Sequence, residues 1–410
     1  MKIFLYPSGI KVTPFNDPVS EIPIRNQTLE WHQRDAARRA GFVVARIQRL
    51  EEVDEPSGLL ISDHVFFSAE ILKKFLDAVA KRPGLWALAI PTCGFTEFTT
   101  PVQDVLVEPL GESTQAVYQI YAFNNLRPTA ESLSSATRLP IRIKERRMGM
   151  DRVERVTEGR SSFAYYVTRE FAFHVTHWSH ILFANLYAVY YYWANPSPRM
   201  VMHFLSGLLR AHSINRWKIM AKLVRKGKHC DIHPSAIVEA SVLGNGVKIG
   251  RHAAVFGSWL GDGAEVASGA EVIGSVLGEN AVASSGARLV YCVLYPRALV
   301  GHQPMQGCMV GRGTMAAPAT YLIDMKLGKN IRVEHQGQRV SVGKQFLGSC
   351  LGHNVFLGTG IWFDAGLEIP NGYVIVRDPD QIVRHIPKDL PPGEPLIARG
   401  DTLMLRPKKE

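Results

Sequence analysis

The segments Ser241-Val-Leu-Gly244, Ser258-Trp-Leu-Gly261, Ser275-Val-Leu-Gly278 and Cys292-Val-Leu-Tyr295 recur every 17 residues and superpose without a gap. Leu243, Leu260, Leu277 and Leu294 form one column. Val247, Ala264, Ala281 and Ala298 form a second, and Ile249, Val266, Ala283 and Val300 a third. A fixed period of this kind marks a stacked repeat, in which each unit buries its apolar side only against its neighbours. Small or aliphatic residues about six apart fit a triangular coil with three flat faces, and its corners need residues that tolerate positive φ. Asn245-Gly246, Asp262-Gly263 and Glu279-Asn280 supply them. The spacing predicts a left-handed parallel β-helix of the hexapeptide-repeat kind, one residue short on one face.

Working outward, the hexads return after an interruption, with Val355, Ile361 and Leu367 in one column and Leu357, Phe363 and Ile369 in another. The β-helix is therefore assigned to residues 230–386. Residues 387–410 read as a tail or cap over the open sheet edge. By analogy with other proteins of this shape, a homotrimer packed through flat faces is expected.

Residues 1–160 alternate short apolar runs with helical stretches, as an α/β domain does. Ile3-Phe4-Leu5, residues 43–47 and residues 59–62 read as strands. Residues 27–41 read as a helix ending at Gly41, and residues 68–79 as a helix with Ser68 as its N-cap. Residues 161–229 are helical and aromatic-rich. The apolar run from Ile181 to Trp193 is too short to span a bilayer. It reads either as a buried linker or, over residues 173–228, as an interfacial element beside Arg216, Lys218, Lys222, Arg225, Lys226 and Lys228 that gives peripheral membrane contact.

The 410 residues carry 47 Lys and Arg against 37 Asp and Glu, a net charge of +10. That surplus suits phosphorylated or nucleotide-bearing substrates, anionic lipid or nucleic acid, and charge alone does not choose among them; with the motifs described below, nucleic acid is not an expected partner. The five cysteines are scattered and lack a CxxC pair, so neither a disulfide framework nor a zinc site is predicted. The N-terminus reads as a strand instead of a signal peptide, and the expected location is cytoplasmic.

IPIRNQTLEWHQRDAARRAGF and LLISDHVFFSAEIL resemble stretches of sugar-nucleotide pyrophosphorylases, the latter being similar to a strand that ends in a metal-binding aspartate. The resemblance implies a degenerate, nucleotidyltransferase-like (Rossmann-like) front domain, so that the fold class is α/β plus β, and makes Asp63 the implied Mg2+ ligand. The family's Gly-rich phosphate loop is reduced here to Tyr6-Pro-Ser-Gly9-Ile-Lys11, leaving Lys11 as its one cation. WSHILFANLYAV resembles the element that follows the transferase domain in related two-domain enzymes.

Residues 311–372 resemble more closely the two-domain family that joins a UDP-N-acetylglucosamine pyrophosphorylase to a glucosamine-1-phosphate acetyltransferase. Gly311, Gly313, Thr314, Asp324, Gly337, Val340, Gly343, Leu347, Gly348, Gly352, Asn354, Val355, Gly358, Gly366 and Ile369 match in order. The resemblance implies a transferase of the sugar-nucleotide type that performs nucleotidyl transfer, acyl transfer from acetyl-CoA or another acyl-CoA, or both, on a sugar phosphate or nucleotide-sugar. Acyl transfer needs a general base, oxyanion donors and cations for phosphate. Where the family has its catalytic histidine, this chain has Tyr295. His302 is the substitute base, with Arg297, Arg312 and Lys344 as phosphate-binding companions; His335 and His353 lie on other turns. The alternative is a catalytically degenerate relative that serves as an oligomeric assembly or regulatory protein.

Overall fold

A computed structural model describes residues 2–80, 82–148, 165–195, 198–213 and 215–406. In the front domain the strands β1 (Lys2–Tyr6), β2 (Val43–Arg46), β3 (Ser57–Ser62), β4 (Gly84–Pro91), β5 (Leu106–Leu110), β6 (Ser113–Asn124) and β7 (Thr137–Pro140) form one sheet. Its order is β7-β4-β6-β3-β1-β2, with β5 on β6. β1 runs parallel to β2 and β3, whereas β6 is antiparallel to β3 and β4. The sheet is thus mixed, which meets the Rossmann-like expectation in part. Alternate residues face two cores: Ile3, Leu5, Leu59 and Ile61 in one, Phe4 and Leu60 in the other.

Helix α1 (Leu29–Ala40) begins where the Thr28 hydroxyl accepts from the Trp31 amide and ends at Gly41 in the left-handed region. Helix α2 (Ala69–Val79) is capped by the Ser68 hydroxyl. Both match the predicted limits.

The front domain extends past residue 160. Strand Tyr165–Thr168 pairs with Glu145–Met148, and Ala172–His174 pairs with Val65–Phe67. Helix α3 (Trp178–Ala194) then packs into the same core: Trp178, Ile181 and Ala184 are fully buried. It has apolar residues on every side because protein surrounds it, which supports the buried-linker reading for this helix. Asn185 ties it down, accepting from the Arg25 amide and donating to the Pro23 carbonyl. Two of the stretches that carry the resemblance, residues 22–42 and 178–189, therefore meet at one joint. Helices α4 (Pro198–Ala211) and α5 (Arg216–Lys222) lead to the β-helix.

There, three stacks of short parallel strands follow, two of eight strands and one of five, with a further pair continuing the last. This is consistent with the predicted left-handed β-helix. The registers reproduce the columns: Leu243 pairs with Leu260, Leu260 with Leu277 and Leu277 with Leu294. Leu277, Ala281, Ala283 and Leu294 are essentially inaccessible. Positive φ at Gly246, Gly263 and Asn280 turns the corners.

The outer side of the leucine face is also buried. Val276, Val293, Met309 and Cys350 belong to the front-domain core. One of the three flat faces is therefore covered by the chain's own front half. Residues 323–349 interrupt the last coils and carry a hairpin, Arg332–His335 with Gln338–Ser341. Val333 of the hairpin and the flanking Ile331 and Val342 are buried in the same core. All five cysteines are free thiols.

Candidate functional site

A hexad advances the chain by one third of a coil, so residues six or seven apart sit on different edges of the prism. The predicted site residues are separated in this way. Tyr295, Arg297 and Arg312 follow strands of the leucine face and share one edge, His302 lies on the next, and Lys344 lies in the 323–349 interruption.

Tyr295 is buried, its ring stacked on Phe15 of the front domain at 4.8 Å. Burial raises its phenol far above the usual range, with the Asp17 and Cys350 charges adding and Arg312 opposing. Its hydroxyl has no hydrogen-bond partner among the described residues. It packs, and is closed to a substrate. His302 is exposed; its Nδ1–H donates to the Ser285 carbonyl at 3.1 Å, which leaves Nε2 toward solvent. Arg297 is an exposed corner residue with φ 59°.

Arg312 belongs to a docking joint. Its backbone amide donates to His353 Nδ1 at 2.8 Å, and His353 Nε2–H donates to Asp17 Oδ2 at 3.0 Å. The Arg312 guanidinium reaches the same carboxylate at 3.5 Å, and Asn371 Nδ2 donates to the Phe15 carbonyl. Burial alone would raise the Asp17 pKa, but the hydrogen bond from His353 and the cationic surroundings that include Arg312 outweigh it and hold it below the usual value.

Asp63 is buried, and its Oδ1 accepts from the Ser8 amide at 2.8 Å and the Ser8 hydroxyl at 2.6 Å. It clamps the loop after β1. No cluster of three or more His, Cys, Asp or Glu side chains able to hold a metal occurs among the described residues, so nothing around Asp63 fits the expected Mg2+. Lys11 is exposed on a two-residue strand paired with Asp17-Pro18.

Lys344 lines a cavity. A cleft of about 690 Å³ opens between the front domain, α3 and the one-sided stack of β-helix corners at Gly257, Gly274 and Gly307. Its volume falls within the range of small-molecule sites. Aromatic side chains dominate its walls: Phe98, Tyr165, Tyr166, Phe183, Tyr187 and Tyr190. Glu97, Arg147, Asn330, Lys344 and Gln345 supply polar groups. The Lys344 ammonium lies 4.3 Å from the Phe98 ring centre and 4.6 Å from that of Phe183, and donates to the Val342 carbonyl at 3.3 Å. Enclosure in this apolar setting lowers its pKa to about 7. Gln345 Oε1 is buried without a hydrogen-bond partner among the described residues.

No family model matches the chain, and no curated protein matches it. Among solved structures, it is similar to a mutant of GDP-perosamine N-acetyl transferase from Caulobacter crescentus in complex with CoA and GDP-perosamine. The identity is 20% over 37% of this chain and 55% of that one, at a TM-score of 0.19. A hexapeptide transferase family protein from Anaplasma phagocytophilum is 15% identical over 38% of this chain and 81% of that one, also at 0.19. The chain thus spans little more than half the length of the first.

Phe98, Phe183, Tyr190 and Gln345 were not singled out as site residues by the sequence. They come from segments far apart in the chain, and the aromatic run of α3 was the one signal that touched the cleft.

Proposed function

We propose that the chain is a transferase of the sugar-nucleotide type that moves an acyl group from an acyl-CoA to a sugar phosphate or nucleotide-sugar, with the interdomain cleft as its working site. The observation that carries this reading is Lys344, an amine with a pKa of about 7 enclosed by the aromatic walls of a 690 Å³ cleft. A general base works best with its pKa near the ambient pH. The neutral Lys344 amine accepts the proton of the acceptor's amine or hydroxyl as that group attacks the thioester carbonyl. The new C–N or C–O bond forms, the C–S bond breaks, and the proton passes to the departing thiolate of coenzyme A. The apolar walls suit the acyl-pantetheine arm.

A second reading is a catalytically degenerate assembly or regulatory protein. It is favoured by the packing role of Tyr295 and the clamping role of Asp63, the two positions at which the resemblance implies chemistry. Full-length protein incubated with acetyl-CoA and a panel of amino-sugar phosphates and nucleotide amino-sugars separates the two. Free coenzyme A released by wild type and lost in Lys344→Met supports the transferase. Stabilisation by a sugar ligand with no coenzyme A released supports the degenerate reading and overturns the transferase.

Trimer formation has two flat faces left to use. On one of them Met315, Phe356 and Val374 form an exposed apolar column. Light scattering showing three chains supports it, and a single chain refutes it.

A further inference from the structure

Between Glu170 and Asp231 the sequence contains no Asp or Glu, yet it contains eight Lys and Arg. Most of the +10 net charge of the chain is concentrated in this stretch. Its first half forms the buried helix α3. The cations cluster in the second half, on and around α4 and α5.

Helix α4 presents its apolar residues the wrong way round for a helix of a globular core. Met202 is 70% exposed, Leu205 52% and Leu209 75%, and Val201 is exposed beside them. Residues 201, 205 and 209 are spaced four apart and so share one face. The opposite side is attached to the protein: a Cβ on the buried Gly207 would stand 3.4 Å from Leu223, which is itself buried at the end of α5. Helix α5 is anchored to the first β-helix coil, where the Ala240 amide donates to the Met220 carbonyl. On α5, Trp217 is 53% exposed, with the Arg216 guanidinium 4.3 Å from its ring centre. Arg210, Arg216, Lys218, Lys222, Lys226 and Lys228 are all exposed on α4, on α5 or in the residues just after it.

We infer that the α4–α5 hairpin is a docking surface for an anionic phospholipid bilayer. The leucine stripe and Trp217 enter the boundary between headgroups and acyl chains, and the surrounding cations pair with acidic headgroups. The charge pattern selects this occupant: exposed leucines on α4 and exposed cations on and beside α4 and α5, in a 60-residue stretch free of carboxylates, complement a negatively charged surface. No helix among the described residues is long and apolar enough to cross a membrane, so the contact is with the surface. Tyr192 and Trp193 of α3, the aromatic pair nearest this region, are half-buried against the protein, and Tyr192 packs on Trp259. The contact therefore belongs to α4 and α5.

Flotation of the full-length protein with vesicles tests this. Wild type is expected to float with vesicles of phosphatidylcholine and phosphatidylserine, to stay behind with phosphatidylcholine alone, and to be released by high salt. Leu205→Ser/Leu209→Ser and, separately, Lys218→Glu/Lys222→Glu are each expected to weaken partitioning about tenfold or more, with the melting temperature unchanged. Wild type that does not float with the anionic vesicles overturns the inference. So does a leucine variant that floats as well as wild type. If the leucine pair abolishes self-association in light scattering while wild type ignores lipid, the stripe binds a second copy instead and the inference falls.

Discussion

His353 Nε2 lies 3.0 Å from Asp17 Oδ2, joining a late coil of the β-helix to a loop near the start of the chain. The Arg312 amide occupies Nδ1, which fixes the tautomer so that Nε2 donates. Phe15, two residues before Asp17, slots against both Tyr295 and His353. Phe15→Ala is expected to cost about 3–5 kcal/mol, as other buried Phe truncations do, and to expose the domain boundary to limited proteolysis. Asp17→Asn is milder, within about 1 kcal/mol, because the carboxylate is partly solvated. A carboxylate held below its ordinary pKa stabilises the fold above that ordinary value and loses this contribution as pH falls through the folded one. The gap between Asp17→Asn and wild type should therefore close in acid, read by urea unfolding at several pH values.

Lys344 gives a different pH dependence. Its folded pKa, about 7, lies below the unfolded value of 10.5. Between those values the unfolded chain binds the extra proton, so this residue makes stability rise with pH. Below pH 7 the half-buried ammonium carries its desolvation penalty, which solvent contact keeps below about 5 kcal/mol. Lys344→Met is expected to raise the melting temperature most at and below neutral pH, with the gain fading as pH approaches 10. A gain that does not vary with pH would mean the amine is solvated.

Tyr295 and His302 separate packing from chemistry. Tyr295→Phe removes a buried hydroxyl that has no partner among the described residues, and should be neutral or slightly stabilising. Tyr295→Ala should cost about 3–5 kcal/mol. His302→Gln, at an exposed corner, should change stability by less than about 0.5 kcal/mol. In the coenzyme A release assay, Tyr295→Phe and His302→Gln are expected to match wild type. A large loss of turnover in either variant would move the working site to the β-helix edges.

Asp63 can be tested without any substrate. Asp63→Ala leaves the Ser8 amide and hydroxyl without their acceptor and is expected to cost about 1–3 kcal/mol. Asp63→Asn keeps an acceptor oxygen and should recover most of that. Added Mg2+ should leave the melting temperature of wild type unchanged. A Mg2+-dependent stabilisation lost in Asp63→Asn would restore the aspartate as a metal ligand.

The β-helix was legible because its information is local and repeated: inward Leu243, Leu260, Leu277 and Leu294 each report the same environment. Strand and helix limits in the front half were legible for the same reason, Thr28 and Ser68 being caps within a few residues of what they cap. The cleft was not. Lys344 was reached through resemblance, but its partners Phe98 and Phe183 come from the front sheet's flank and from α3, and nothing local links them. Tyr295 and His302 are close in sequence, yet the coil turns between them. Tyr295 also lies under a front-domain loop that a repeat pattern cannot announce.

Arg25 shows how much of the interdomain geometry rests on one side chain. It sits at positive φ in the tight turn before Gln27, next to Asn26, whose side-chain amide donates to the Leu277 carbonyl of the β-helix. Its guanidinium donates to the Ala188 carbonyl of α3 and lies 4.5 Å from the Trp259 ring centre and 5.1 Å from that of Tyr192. Burial lowers its pKa to about 10, with the Tyr192 and Asp35 charges opposing and Arg39 adding. The group thus remains charged at neutral pH and holds the turn, α3 and the β-helix together. Truncation removes the stacking and the charged hydrogen bond to the Ala188 carbonyl, so Arg25→Ala should cost about 2–4 kcal/mol. Arg25→Lys should recover little, because an ammonium cannot lie flat against Trp259 while also reaching Ala188. Calorimetry distinguishes loss of the joint from general destabilisation: a single transition that splits into two in Arg25→Ala marks uncoupled domains, whereas one transition shifted downward would mean the front sheet itself depends on this residue.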